Sequence, residues 1–71
     1  MKYSRQRELI LNNVIDSKGH PTADDVYDDL KKANPSLSLG TVYRNLTQLE
    51  KNGMLKKVNI PGDPVRFEAN L

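Results

Sequence analysis

Seventy-one residues, 37% apolar and 28% charged, make one small domain. It is apolar enough to fold, too polar to span a membrane, and too small to enclose a deep active-site cleft. The chain has no cysteine, so it forms neither a disulfide nor a thiolate metal site. The net charge of +2 is uneven: residues 1–37 carry six Lys/Arg and six Asp/Glu, and residues 38–71 carry five and three. That bias suits a protein that turns one face toward a polyanion.

The N-terminus, Met1-Lys2-Tyr3-Ser4-Arg5, lacks the apolar stretch of a signal peptide, and no run approaches the ~20 apolar residues of a spanning helix, so the expected compartment is the cytosol. Ser4 is placed to cap a first helix with apolar positions Leu9, Ile10 and Val14, joined by Leu11 and Ile15. Ser17-Lys18-Gly19 ends it, and Gly19 suits a left-handed position. Thr22 is the cap of a second helix, with Asp25 at the third helical position as an imperfect capping box. Ala23, Val26, Tyr27, Leu30 and Ala33 then form one helical face, stopped by Asn34-Pro35.

Ser38 is the third cap, and Leu39, Val42, Leu46 and Leu49 repeat at helical spacing until Asn52-Gly53. The period then changes. Lys57–Ile60 alternates, Pro61-Gly62-Asp63-Pro64 turns, and Val65–Ala69 alternates again, which predicts a β-hairpin. Three helices, with about four residues (34–37) between the second and third, followed by a hairpin, is the order of a winged helix-turn-helix. The expected fold is therefore mainly α with a small wing, one domain over residues 1–71. Its core would bring together Leu9, Val26, Leu30, Val42, Leu46 and Leu49.

With that stripe inward, Gly40, Thr41, Tyr43, Arg44 and Thr47 face out near the start of the third helix, where such modules reach base edges in the major groove. Gly40 permits close approach of phosphate. Thr41 and Tyr43 offer hydroxyls to phosphate and apolar surface to a thymine methyl, and Arg44 pairs with guanine or phosphate. Lys56, Lys57 and Arg66 on the wing suit contacts along the DNA backbone, or equally a solvated hairpin guarded against edge pairing. Lys2 belongs to an N-terminal arm of the kind that enters a minor groove.

Asp24, Asp25, Asp28 and Asp29 project outward from one helix without the alternating oxygens and glycine turn of a calcium loop. A catalytic role lacks support, because there is no cysteine nucleophile, triad motif or glycine-rich phosphate loop. Two classes of function remain: a DNA-binding module, favoured by the exposed Gly40-Thr41-Tyr43-Arg44, and a winged-helix protein-interaction module, which an apolar exposed helix would favour.

The runs His20-Pro21-Thr22-Ala23-Asp24-Asp25-Val26-Tyr27, Thr41-Val42-Tyr43-Arg44-Asn45-Leu46 and Leu49-Glu50-Lys51-Asn52-Gly53-Met54-Leu55, with Ser4-Arg5-Gln6-Arg7 and Arg66-Phe67-Glu68, resemble the DNA-binding domain of the ferric uptake regulator family. The resemblance covers essentially the whole chain. It implies a metal-dependent transcriptional repressor that binds a double-stranded operator as a homodimer, with Tyr43 and Arg44 in the reading helix and Lys2 in the arm. The family senses iron, zinc, manganese, nickel or peroxide. His20 matches its metal-ligating histidine before the second helix and Glu68 its carboxylate at the end of the wing. The HPTADD run is similar to the peroxide-sensing members, and glutamate at position 68 to the iron-sensing ones. The family's chain continues into a dimerisation and metal-sensing domain, whereas this sequence stops at Leu71. It is therefore expected to be the DNA-binding domain alone, monomeric, with His20 and Glu68 as half of a site that takes Fe, Zn or Mn in the full-length parent. Transition metals need about four ligands or more, so no tightly held ion is expected here.

Overall fold

The computed structural model describes residues 4–70, so Lys2 lies outside the described residues. Helix α1 spans Arg5–Asp16, α2 Ala23–Leu30 and α3 Leu39–Lys51, and strands β1 (Leu55–Val58) and β2 (Arg66–Ala69) pair antiparallel. This is the winged helix. Among the described residues, no helix is long and apolar enough to cross a membrane.

All three caps hold. Ser4, Thr22 and Ser38 have extended backbone, and their side-chain oxygens accept from the amides of Arg7, Asp25 and Thr41. The box on α2 closes despite its short carboxylate: Thr22 Oγ1 accepts from Asp25 N–H at 3.1 Å, and Asp25 Oδ2 accepts from Thr22 N–H at 3.0 Å. Helix α3 ends in a Schellman motif. Gly53 N–H donates to the Glu50 carbonyl and Met54 N–H to that of Leu49, which requires the positive φ of 76° that Gly53 supplies.

Helix α2 is shorter than predicted. Asn34 caps the Leu30 carbonyl with both its backbone N–H (3.1 Å) and its side-chain amide (2.9 Å). Residues 31–33 form turns, ahead of Pro35, and Ala33 is exposed. The α2–α3 connection consequently covers 31–38 rather than 34–37.

The core joins Ile10 and Val14 of α1, Ala23 and Val26 of α2, and Val42, Leu46 and Leu49 of α3 to Leu37, Leu55 and Phe67. Val26, Val42, Leu46 and Leu49 fall where expected, and Leu30 packs against the cluster half-buried. Leu9 does not belong to it. Its neighbour Ile10, about 100° further round the helix, is fully buried, while half-buried Leu9 borders a shallow groove with Arg5, Glu8 and Asn12. Leu39 likewise ends half-buried, and Leu37 fills the core from the preceding turn.

The first wing strand starts two residues before the predicted Lys57. Directly paired residues share a face of the sheet, and the register pairs Leu55 with Ala69 and Lys57 with Phe67. Leu55 and Phe67 are buried, so the core face carries positions 55 and 57. The alternating Val58 and Ile60 belong to the other side, and Ile60 is 51% exposed beyond the strand end. The tip is a tight turn closed by Asp63 N–H to the Ile60 carbonyl at 2.9 Å. Pro61 stands at its second position and Gly62, with φ 81°, at its third, the residues that a type II turn takes.

Candidate nucleic-acid interface and metal half-site

With Val42, Leu46 and Leu49 fully buried, the opposite side of α3 is open. Gly40, Tyr43 and Arg44 are exposed, and Thr41 and Thr47 are half-buried beside them. Gln48, which sequence reasoning left out, is also exposed one turn beyond Arg44. Its spacing of four from Arg44 was the available signal. Tyr43 is half-exposed, and no other large apolar side chain on α3 is exposed. The Thr41 hydroxyl is engaged with the cap, 2.9 Å from Ser38 Oγ. Gly40 answers no internal need: its φ is not positive, and an added Cβ would meet only Ser38 Oγ, at 3.9 Å.

The wing cations differ from one another. Lys56 is exposed and outside the ion pairs, whereas Lys57 Nζ sits 3.6 Å from Glu50 Oε1 and braces the wing against α3. Arg66 is drawn into the domain. It donates from Nε to Asp63 Oδ2 at 2.8 Å and from Nη1 to the His20 carbonyl at 3.0 Å. Those contacts lower the Asp63 carboxyl below the usual carboxylate range and raise the Arg66 guanidinium above its ordinary value.

Beside β2, on the face that also carries Arg66, His20 Nδ1 and Glu68 Oε2 stand 3.4 Å apart, both open to solvent. The loop before α2 runs beside β2 to bring them together, through a bridge between Thr22 and Arg66 and a bond from Phe67 N–H to the Pro21 carbonyl at 2.9 Å. An imidazole nitrogen and a carboxylate oxygen bound to one ion at 2.0–2.2 Å, at the tetrahedral angle, are separated by roughly 3.4 Å. The pair therefore fits one edge of a metal site. Among the described residues, no group of three or more His, Cys, Asp or Glu surrounds an ion position.

The capping box also sets a pH dependence. The Thr22 amide and hydroxyl, with Arg66 nearby, hold the Asp25 carboxyl below its ordinary value of 3.8 against a smaller desolvation effect. A depressed carboxylate contributes stability that is present above the unfolded pKa and lost as pH falls through the folded one. Asp25→Ala is expected to lower the denaturation midpoint at pH 7 and to flatten the loss of stability below about pH 4. Midpoint curves that stay parallel down to acid pH would take Asp25 out of this linkage.

The family model described as "Ferric uptake regulator family" matches residues 1–71. The chain belongs to the ferric uptake regulator family. The peroxide operon regulator of Bacillus subtilis (strain 168) is 35% identical over 68 residues, 96% of this chain and 47% of that protein. Among solved structures, PerR from Streptococcus pyogenes, described for peroxide sensing and gene regulation, superposes with a TM-score of 0.90 at 33% identity, over 97% of this chain and 48% of that one. The ferric uptake regulator of Pseudomonas aeruginosa with manganese gives 0.87 at 35% identity, over 100% and 54%. These ferric uptake relatives are named as regulators, and others as repressors, not as enzymes. The chain spans about half the length of the curated relatives it matches.

Proposed function

We propose that residues 1–71 are the operator-reading domain of a metal- or peroxide-responsive transcriptional repressor. The observation that carries this is the outer side of α3, where Gly40, Tyr43, Arg44 and Gln48 are exposed on the helix that a winged helix-turn-helix lays in the major groove. A glycine that no internal contact requires leaves room for a phosphate. A tyrosine, an arginine outside the ion pairs and a glutamine supply edges that match thymine, guanine and adenine. Lys56 adds a phosphate contact from the wing, Thr41 and Thr47 line the approach, and Lys2, outside the described residues, is assigned the minor-groove contact of the arm. Lys57 and Arg66 serve mainly as braces. Only one large apolar side chain is exposed on α3, which favours DNA over a protein partner.

His20 and Glu68 are then two donors of a site for Fe, Zn or Mn, completed by donors from outside this chain. The ion would fix the angle between the reading helices of a homodimer so that they match successive major grooves about 34–36 Å apart.

The test of the DNA reading is fluorescence anisotropy of labelled duplex at several salt concentrations. One half-site gives few phosphate contacts, so binding should be weak. Log K should fall linearly with log salt, by about 0.9 for each phosphate neutralised. A duplex selected from random sequence should bind more tightly than a scrambled one. Absence of binding at low salt, at protein concentrations above about 10⁻⁴ M where even non-specific binders associate, would sink the reading.

A further inference from the structure

Arg66 stands where three parts of the fold meet. Its Nε and Nη2 donate to the two Asp63 oxygens, at 2.8 and 3.5 Å, in the wing turn. Its Nη1 donates to the His20 carbonyl and lies 4.0 Å from Asp25 Oδ2, in the first turn of α2. The backbone brings the loop to β2 but, among the described residues, makes no hydrogen bond to the His20 peptide itself. The loop is tied to β2 by the Thr22–Arg66 bridge and the Phe67 N–H to Pro21 carbonyl bond, and His20 lies just outside both. On its other side is Gly19, with a φ of 134° and nothing within 4 Å of where a Cβ would stand. The bond from Nη1 is the hydrogen bond made to the His20 carbonyl.

We propose that Arg66 is a positioning residue: by gripping the His20 carbonyl from the wing, it sets the imidazole against Glu68 and ties the metal half-site to the orientation of the hairpin. This rests on the half-site reading above. Glu68 is two residues along the same strand, so one side chain fixes the relative placement of both donors. Asp63 anchors the guanidinium from behind, which extends the connection to the wing tip. The planar fork of arginine reaches a carboxylate and a carbonyl together, and a lysine ammonium does not reproduce that geometry.

The experiment uses the 71-residue chain, manganese chloride as probe, and NMR. Paramagnetic broadening of the His20 ring and Glu68 side-chain signals reports the ion. Residual dipolar couplings report the orientation of the hairpin against the helices. In the wild type, both donors should broaden with one shared, weak apparent Kd. Outer-shell partners of metal ligands typically contribute 10–100-fold in affinity, so Arg66→Ala and Arg66→Lys should each weaken binding about tenfold. Both should reorient the hairpin while α1, α2 and α3 keep their mutual arrangement. Wild-type broadening that does not centre on His20 and Glu68 would remove the half-site and this proposal with it. Centred broadening with the same Kd in Arg66→Ala would leave the half-site standing and overturn the positioning role. Full recovery in Arg66→Lys would overturn it too, because charge alone would then account for the effect. A loss confined to the salt dependence of DNA binding would make Arg66 a phosphate contact instead.

Discussion

Replacing Leu46 by alanine is expected to cost about 2–5 kcal/mol, the range for truncating a buried leucine to alanine. Leu46 is fully buried at the middle of α3, with Val42 and Leu49 on either side of it in the same cluster. That cluster is where α1, α2 and the hairpin meet α3, so none of the three can move into the cavity without losing contacts elsewhere. At roughly 0.05–0.15 kcal/mol per residue, a domain of this size has about 4–11 kcal/mol in total. The substitution therefore removes a large part of it. Urea denaturation followed by circular dichroism measures the difference, and an unchanged midpoint would contradict the packing described.

The second large effect is on recognition. Tyr43 and Arg44 are adjacent, exposed and outside the core, so removing them should leave folding intact. Each base-edge contact contributes about 1–3 kcal/mol of discrimination. Tyr43→Ala and Arg44→Ala should therefore each bring the selected duplex some 5–150-fold closer to random sequence. Lys56→Ala should behave differently, weakening both duplexes alike and reducing the salt slope by about one. Lys57→Ala should add a loss of stability, since that lysine reaches Glu50 on α3. If Tyr43→Ala and Arg44→Ala discriminate as well as the parent, α3 is not the reading helix.

What could be read from the chain follows from how local each determinant is. The caps Ser4, Thr22 and Ser38 act on amides three residues away, so residue type and spacing suffice to place them. The inward stripe of α3 is legible because Val42, Leu46 and Leu49 repeat strictly at helical spacing. The helical run on α1 was less decisive. Leu9, Ile10 and Leu11 are consecutive apolar residues, and only tertiary packing chooses Ile10. Leu37, between two helices, and Leu55, two residues past Gly53, carry no periodic signal. In the wing the visible alternation of Val58 and Ile60 traces the outer side. The core side reads Leu55-x-Lys57, with a charge where an apolar residue is expected.

The recognition residues were visible for the same reason as the stripe, since whatever a buried stripe leaves over faces outward. The ion pairs were not. Lys57 with Glu50 joins strand to helix, and Arg66 with the His20 carbonyl spans 46 positions. Arg66 is also paired with Asp63 only three residues away, but across the wing turn, whose geometry residue spacing does not set. The approach of His20 to Glu68 came only through family resemblance.

The wing has a further property that follows from its size. Two paired strands of four residues are marginal by themselves, and only Leu55 and Phe67 plug this hairpin into the core. Among the described residues, the three helices contribute eight of the ten buried apolar side chains, counting Leu37 between α2 and α3. Local opening is therefore expected to be unequal, with the hairpin releasing at a free energy below that of global unfolding while the helical part stays closed. Bonds at Arg66 and Lys57 set how often it does so. Hydrogen exchange is therefore expected to be less protected in β1 and β2 than in the buried turns of α3, which places the first opening of the domain in the element that bears both Lys56 and Glu68.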